Sequence, residues 1–171
     1  INLGYGNGCI VEGAGFFLNN EMDDFSSKPG TPNAYGLIGN KANAIEAGKR
    51  PLSSMTPTIV LKNGKPFLII GSPGGSTIIT TTLQTILNVI DHNMDIKEAV
   101  CATRFHSQWL PDVIQYEPKS LVKDVKINLL AKGHKLIQRN GFIGEANGIM
   151  ITQDGYFGGG DCRGETTAKG Y

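Results

Sequence analysis

Two adjacent glycines, Gly74 and Gly75, sit between an apolar run and a helix-patterned one. Backbone without side chains lets a ligand come close, and free N–H groups at a helix start favour negative charge. The pair could hold the oxyanion of an acyl-transfer intermediate. It could equally be a tight strand-to-helix turn that binds nothing. A phosphate loop is disfavoured, because no Gly-Lys-Ser/Thr follows. Glu21-Met22-Asp23-Asp24 places three carboxylates at the edge of a polar loop, where they could receive a substrate ammonium group. Taken alone, solvated loop charges are favoured there, and the Asp-x-Asp-x-Asp-Gly spacing of a calcium loop is missing. Ser53-Ser54 offers two hydroxyls, with turn or cap formation as their ordinary role. Neither lies in a Gly-x-Ser-x-Gly elbow. His92, His106 and His134 stand in unrelated contexts, so little supports a serine–histidine mechanism. Arg104-Phe105-His106 with Trp109-Leu110-Pro111 reads as a packed corner in which Trp and His find partners.

The elements that must position these groups follow from periodicity. Residues 1–20 read as a strand, a glycine-rich turn and a second apolar run from Gly13 to Leu18. Residues 21–50 read as a long, turn-rich surface loop, and such loops are often functional. Thr58–Leu61 and Phe67–Ile70 flank Asn63-Gly64, the preferred dipeptide of a two-residue hairpin turn. The segment Gly71 to Ser76 ends that hairpin and opens a helix with Ile78, Ile79, Leu83, Ile86, Leu87 and Ile90 on one face. A second helix is expected near Asp95, with Glu98 completing a capping box. A third spans about Ser120 to Lys132 and stops at Gly133. Short strands are expected near Lys135–Gln138 and Gly148–Thr152. Strands, then helices, then strands predict α+β layers rather than alternating βαβ units.

Composition narrows the function classes. Of 171 residues, 40% are hydrophobic and 18% charged, and a net charge of +1 gives no electrostatic footprint for nucleic acid. No apolar run reaches the length of a membrane span. Cys9, Cys101 and Cys162 are widely spaced without CxxC or paired histidines, which argues against a metal site and for small buried hydrophobes, with one disulfide at most. Twenty-three glycines ask for many special turns. Ile1-Asn2-Leu3-Gly4 is neither an initiator methionine nor a signal peptide, so the chain is expected to begin inside a folded element.

Four ordered stretches carry a more specific signal. They are Leu18-Asn19-Asn20-Glu21-Met22-Asp23-Asp24-Phe25, Lys49-Arg50-Pro51-Leu52-Ser53-Ser54-Met55, Gly71-Ser72-Pro73-Gly74-Gly75-Ser76 and Arg104-Phe105-His106-Ser107-Gln108-Trp109-Leu110-Pro111. As a set they resemble the γ-glutamyltransferase (γ-glutamyl transpeptidase) family of N-terminal-nucleophile hydrolases, bacterial members above all. The resemblance covers essentially the whole chain.

It implies a four-layer αββα sandwich built from a large and a small subunit after self-cleavage of one precursor. Residues 1–171 would be the single-domain small subunit. An N-terminal threonine would attack a γ-glutamyl carbonyl with its own amine as base, and water or an amino acid or peptide acceptor would resolve the acyl-enzyme. By position, Gly74 and Gly75 would form the oxyanion hole. Asn2, Glu21 and Asp24 would hold the α-amino end of the glutamyl group, with Ser53 and Ser54 at its α-carboxylate. Pro29 to about Asn40 resembles a lid, with Tyr35 closing over the pocket. Ile1 cannot be the nucleophile, so the threonine is expected upstream by about two strands' length. Thr77 departs from the arginine common in bacterial relatives.

The resemblance implies no cofactor and no metal, a large-subunit partner, no nucleic acid and no membrane insertion of this chain. Bacterial relatives are typically periplasmic or secreted. A poly-γ-glutamate capsule transferase or depolymerase of the same fold and a non-catalytic subunit are the competing readings.

Overall fold

The computed structural model describes residues 2–170, so Ile1, set aside above as a nucleophile, lies outside the described residues. Two compact units divide the chain, one ending at Ser54 and the other beginning at Met55.

The first unit holds neither an α-helix nor a strand longer than an isolated bridge among its described residues. The strand expected in residues 1–20 shrinks to one antiparallel bridge, Ile10 to Phe17, flanked by Leu18 N–H to the Cys9 carbonyl and Val11 N–H to the Phe16 carbonyl. Gly13 and Gly15, both at positive φ, turn the chain too soon for a ladder to extend. Short 3-10 turns occupy Glu21–Asp24 and Lys41–Asn43. Between them a second bridge joins Pro32 to Ile38. Its tip is an Asx turn, because the Asn33 side chain accepts from the N–H groups of Tyr35 and Leu37, both at 2.9 Å.

The second unit has the regular structure. Strands β1 (Thr58–Lys62) and β2 (Lys65–Gly71) form the hairpin that Asn63-Gly64 predicts, with φ of 53° and 74° at those residues. Helices α1 (Ile78–Ile90) and α2 (Ile96–Cys101) follow. Asp95 and Glu98 form the predicted capping box on α2. Strands β3 (Phe105–His106) and β4 (Ile114–Tyr116) come next, then α3 (Lys123–Ala131) and β5 (Leu136–Gln138). Strands β6 (Asn147–Thr152) and β7 (Gly155–Gly160) close the chain. The sheets run β1-β2-β6-β7, antiparallel throughout, and β3-β4-β5. The expected α+β class is borne out.

Leu68 and Ile70 of β2 pack with Val89, Ile96, Ala99, Val100 and Ala146 into the core. The Gly158-Gly159-Gly160 run, which looks like low complexity, is strand β7 pressed onto α2. A Cβ on Gly159 would stand 2.8 Å from the Ile96 carbonyl oxygen.

Two expectations are corrected. Helix α1 forms where predicted, but its buried face is Ile78, Thr81, Thr82, Thr85 and Val89, while Ile79, Leu83, Leu87 and Ile90 are exposed. Small threonines suit a face that must approach other backbone closely, and Thr85 satisfies its hydroxyl on the Thr81 carbonyl one turn back at 3.0 Å. The cysteines are not buried small hydrophobes: Cys101 and Cys162 form a disulfide and Cys9 is exposed.

Candidate active site

Asp24 ends its 3-10 turn half-buried, and two donors converge on its carboxylate. Asn2 Nδ2 reaches one oxygen at 2.6 Å and Ser54 Oγ the other at 2.8 Å. Burial pushes the Asp24 carboxyl above the usual aspartate range; the adjoining Glu21 carboxyl adds to the rise, which the Ser54 and Asn2 bonds only partly oppose. Asn2, Asn20, Asp23, Asp24, Asn33 and Tyr35 line a small pocket around this group. Further lone pairs of a pinned carboxylate remain available to an ammonium ion, the chemistry the sequence pattern suggests.

Asn43, which the sequence reading missed, explains how residues 30 apart in sequence meet. Its amide donates to the Asp24 carbonyl at 2.7 Å and its side-chain oxygen accepts from Leu52 N–H at 3.0 Å. That clasp carries the Leu52–Ser54 segment to the acidic turn. Nothing in the local pattern marks an asparagine for this task. Ser53 is exposed beside it. Ser54 donates its proton to a carboxylate and not to a histidine.

Gly74 and Gly75 belong to the second unit and form the predicted junction. They have φ of 141° and 58°, and a 3-10 turn over Gly75–Thr77 leads into α1. Positive φ at both positions explains why two glycines occur together. No hydrogen bond among the described residues uses either N–H, as expected at the open start of a helix. Thr77, the departure noted in the sequence, is buried and donates its hydroxyl to the Gly74 carbonyl at 2.8 Å.

The Arg104–Pro111 stretch has a different character from the packed corner predicted. His106 is buried between Thr80 Oγ1 at 2.8 Å and Gln108 Oε1 at 2.9 Å, but Trp109 is 80% exposed. Arg104 joins a four-member ionic cluster that the sequence does not announce. Its Nη2 meets Asp161 at 2.7 Å, and Arg163 bridges Asp161 at 2.8 Å and Glu117 at 2.6 Å. Burial alone would raise both carboxyls, yet hydrogen bonds from Arg163, joined by its charge at Glu117 and by the hydrogen bond and charge of Arg104 at Asp161, hold both below the usual range. Arg104, by contrast, is lowered by its burial despite Asp161. The cluster also fixes backbone: Glu117 accepts from Ile143 N–H, Arg104 donates to the Ile143 carbonyl, and Asp161 accepts from Ala146 N–H. Among the described residues, no group of three or more His, Cys, Asp or Glu could hold a metal.

Comparison with known proteins places the chain in a family. The profile described as Gamma-glutamyltranspeptidase matches residues 1–171. The chain belongs to the gamma-glutamyltranspeptidase family. Among curated relatives, a glutathione hydrolase proenzyme of Escherichia coli K12 is 49% identical over 164 residues, spanning 95% of this chain and 28% of that protein. A second, from Pseudomonas aeruginosa, is 46% identical over 153 residues, spanning 88% of this chain and 28% of that protein. The chain thus spans little more than a quarter of these relatives. A point mutant of the Helicobacter pylori gamma-glutamyltranspeptidase superposes with a TM-score of 0.89 at 56% identity, over 95% of this chain and 89% of that one. The Bacillus anthracis transpeptidase CapD gives a TM-score of 0.70 at 24% identity, a likeness of fold alone.

Proposed function

We propose that this chain is the small subunit of a γ-glutamyl hydrolase and transferase that acts on glutathione and other γ-glutamyl compounds. The observation that carries the reading is the Asp24 carboxylate, pinned on both oxygens by Asn2 and Ser54 inside the pocket that Tyr35 lines. It fits the α-ammonium of a glutamyl donor, with Glu21 adding negative charge beside it. Ser53 and Ser54 would meet the α-carboxylate, and the Asn33 turn would carry Tyr35 as a lid.

In this mechanism the nucleophile is an N-terminal threonine upstream of Ile1. Its oxygen bonds to the γ-carbonyl carbon while its proton passes to its own α-amine. Gly74 and Gly75 N–H groups stabilise the oxyanion. The carbon–nitrogen bond then breaks and the leaving amine takes that proton. Water or an acceptor amine attacks the resulting ester and frees the threonine.

A large subunit from the same precursor would complete the αββα layers. Ile59, Ile69 and Ile149 form one row across β1, β2 and β6 and are all exposed, an apolar face suited to a second sheet. Relatives of which this chain spans about a quarter are named proenzymes, in keeping with a cleaved precursor. No helix among the described residues is long and apolar enough to cross a membrane. The Cys101–Cys162 disulfide favours a periplasmic or secreted location, since such bonds persist in oxidising compartments.

Full-length protein incubated with γ-glutamyl-p-nitroanilide should release p-nitroaniline, faster with a dipeptide acceptor present. An intact substrate alongside cleavage of other acyl donors would refute the substrate class.

A further inference from the structure

The two peptide groups that present the Gly74 and Gly75 N–H donors are each fastened from behind. In a planar trans peptide the carbonyl and the N–H point in opposite directions, so holding one aims the other. The Gly74 N–H shares its peptide with the Pro73 carbonyl, and Ser72 Oγ donates to that carbonyl at 2.7 Å. The Gly75 N–H shares its peptide with the Gly74 carbonyl, which accepts from Thr77 Oγ1 at 2.8 Å and from Thr77 N–H at 3.2 Å. One hydroxyl therefore stands behind each donor.

The Ser72 hydroxyl is itself held. Its oxygen accepts from Glu145 N–H at 3.0 Å. Gly144, at φ 66°, lies so close that a Cβ there would stand 2.5 Å from Thr81 Oγ1 and 2.8 Å from Ser72 Oγ. A Cβ on Gly74 would stand 3.3 Å from the Gly144 Cα. The two turns pack backbone to backbone, and the Arg104–Glu117–Asp161 cluster described above anchors the Ile143–Ala146 segment on both sides of Gly144.

We propose that Ser72 and Thr77 are positioning residues for the oxyanion hole, each hydroxyl orienting one of its two N–H donors, with Gly144 as the backing that keeps Ser72 in place. This inference rests on the proposed acyl-transfer reading of Gly74 and Gly75. Such an arrangement fixes the dipoles before charge develops, so its effect belongs to the transition state and not to ground-state binding.

The test uses full-length protein with Thr77→Val, Thr77→Ser, Ser72→Ala and Ser72→Thr substitutions, with rates normalised to the matured fraction. Each variant is assayed for kcat and KM on γ-glutamyl-p-nitroanilide. Inhibition is compared for glutamate and for a boronic acid analogue of glutamate whose tetrahedral boronate places an oxygen in the hole. Thr77→Val and Ser72→Ala should each lower kcat by about tenfold or more with KM within about twofold, and weaken the boronate by a similar factor while leaving glutamate unchanged. The hydroxyl-retaining Thr77→Ser should recover most of the rate.

Hydroxyl-free variants with unchanged kcat and boronate affinity overturn the proposal. So does an equal loss in Thr77→Ser and Thr77→Val, or a Thr77→Val protein that fails to fold where Thr77→Ser folds, since each assigns the residue to packing. Unsubstituted protein that leaves the substrate intact overturns the acyl-transfer reading itself, a result the variants cannot mimic.

Discussion

Replacing Glu117 with glutamine keeps the shape of a side chain that is 1% exposed and removes one charge from a cluster balanced at two guanidinium and two carboxylate groups. One oxygen of Glu117 accepts from Ile143 N–H at 2.7 Å and Arg163 Nε at 2.8 Å; the other accepts from Arg104 N–H at 2.8 Å and Arg163 Nη2 at 2.6 Å. Whichever oxygen becomes an amide nitrogen, two buried donors lose their acceptor and face another donor. At ~1–3 kcal/mol per orphaned group, the cost is about 2–6 kcal/mol. Breaking one partner of a buried ion pair gives ~3–5 kcal/mol by an independent route. Glu46→Gln, at the exposed Lys49 pair, serves as the control and should be near neutral. Urea unfolding of full-length protein at pH 7 should therefore show a midpoint lowered for Glu117→Gln at constant slope, by an amount worth about 3–5 kcal/mol. The depressed carboxyl adds a pH signature. Its stabilisation is complete above the unfolded glutamate value of about 4.3 and is lost as pH falls through the lower folded value, so the gap between the proteins should narrow in acid. A Glu117→Gln protein within about 1 kcal/mol of the parent at pH 7 would refute this account of the cluster.

Other outcomes follow from the same geometry. Asp24→Asn should raise KM for γ-glutamyl-p-nitroanilide by about ten- to a hundredfold, since a charge-assisted bond is worth ~1.5–3 kcal/mol, with a smaller effect on kcat. Because the Asp24 carboxyl is raised, kcat/KM in the parent should fall on the acid side at a pH above the ordinary aspartate value, and that limb should vanish in Asp24→Asn. Gly74→Ala puts a Cβ 2.5 Å from Thr77 Oγ1 at φ 141°, and kcat should drop by about a hundredfold or more with little change in glutamate inhibition. Cys101→Ser with Cys162→Ser opens a crosslink across 61 residues and should cost up to about 4 kcal/mol in urea unfolding of full-length protein, an effect that dithiothreitol should reproduce in the parent alone.

Local rules made much of the second unit legible. Asn63-Gly64 fixed a hairpin, and the Asp95/Glu98 box fixed the start of α2, because each signal is contained within a few residues. The face of α1 was misjudged because periodicity assumes that the apolar stripe turns inward. Here Thr81 lies against the Gly144 backbone, a close approach that favours the threonine side. Strands β3 and β4 are too short to show alternation, and β7 hides in a glycine run. Glu21, Asp24, Ser53, Ser54, Gly74 and Gly75 lie within the ordered motifs, and Asn2 and Tyr35 follow from the family resemblance by position, whereas the devices that support them are not marked. Asn43, the Arg104–Asp161 pair 57 residues apart and the Cys101–Cys162 bond depend on three-dimensional proximity that no local pattern encodes.

In the proposed reaction a γ-glutamyl group passes through a covalent enzyme intermediate in a pocket that Asp24 helps to form. The direct measurement is intact-mass analysis of full-length protein quenched in acid during turnover of γ-glutamyl-p-nitroanilide. A small subunit heavier by one γ-glutamyl group, formed in the parent and depleted in Asp24→Asn at limiting substrate, is the predicted result. Release of p-nitroaniline with no adduct on any chain, or an adduct that forms equally well without the Asp24 charge, would contradict it.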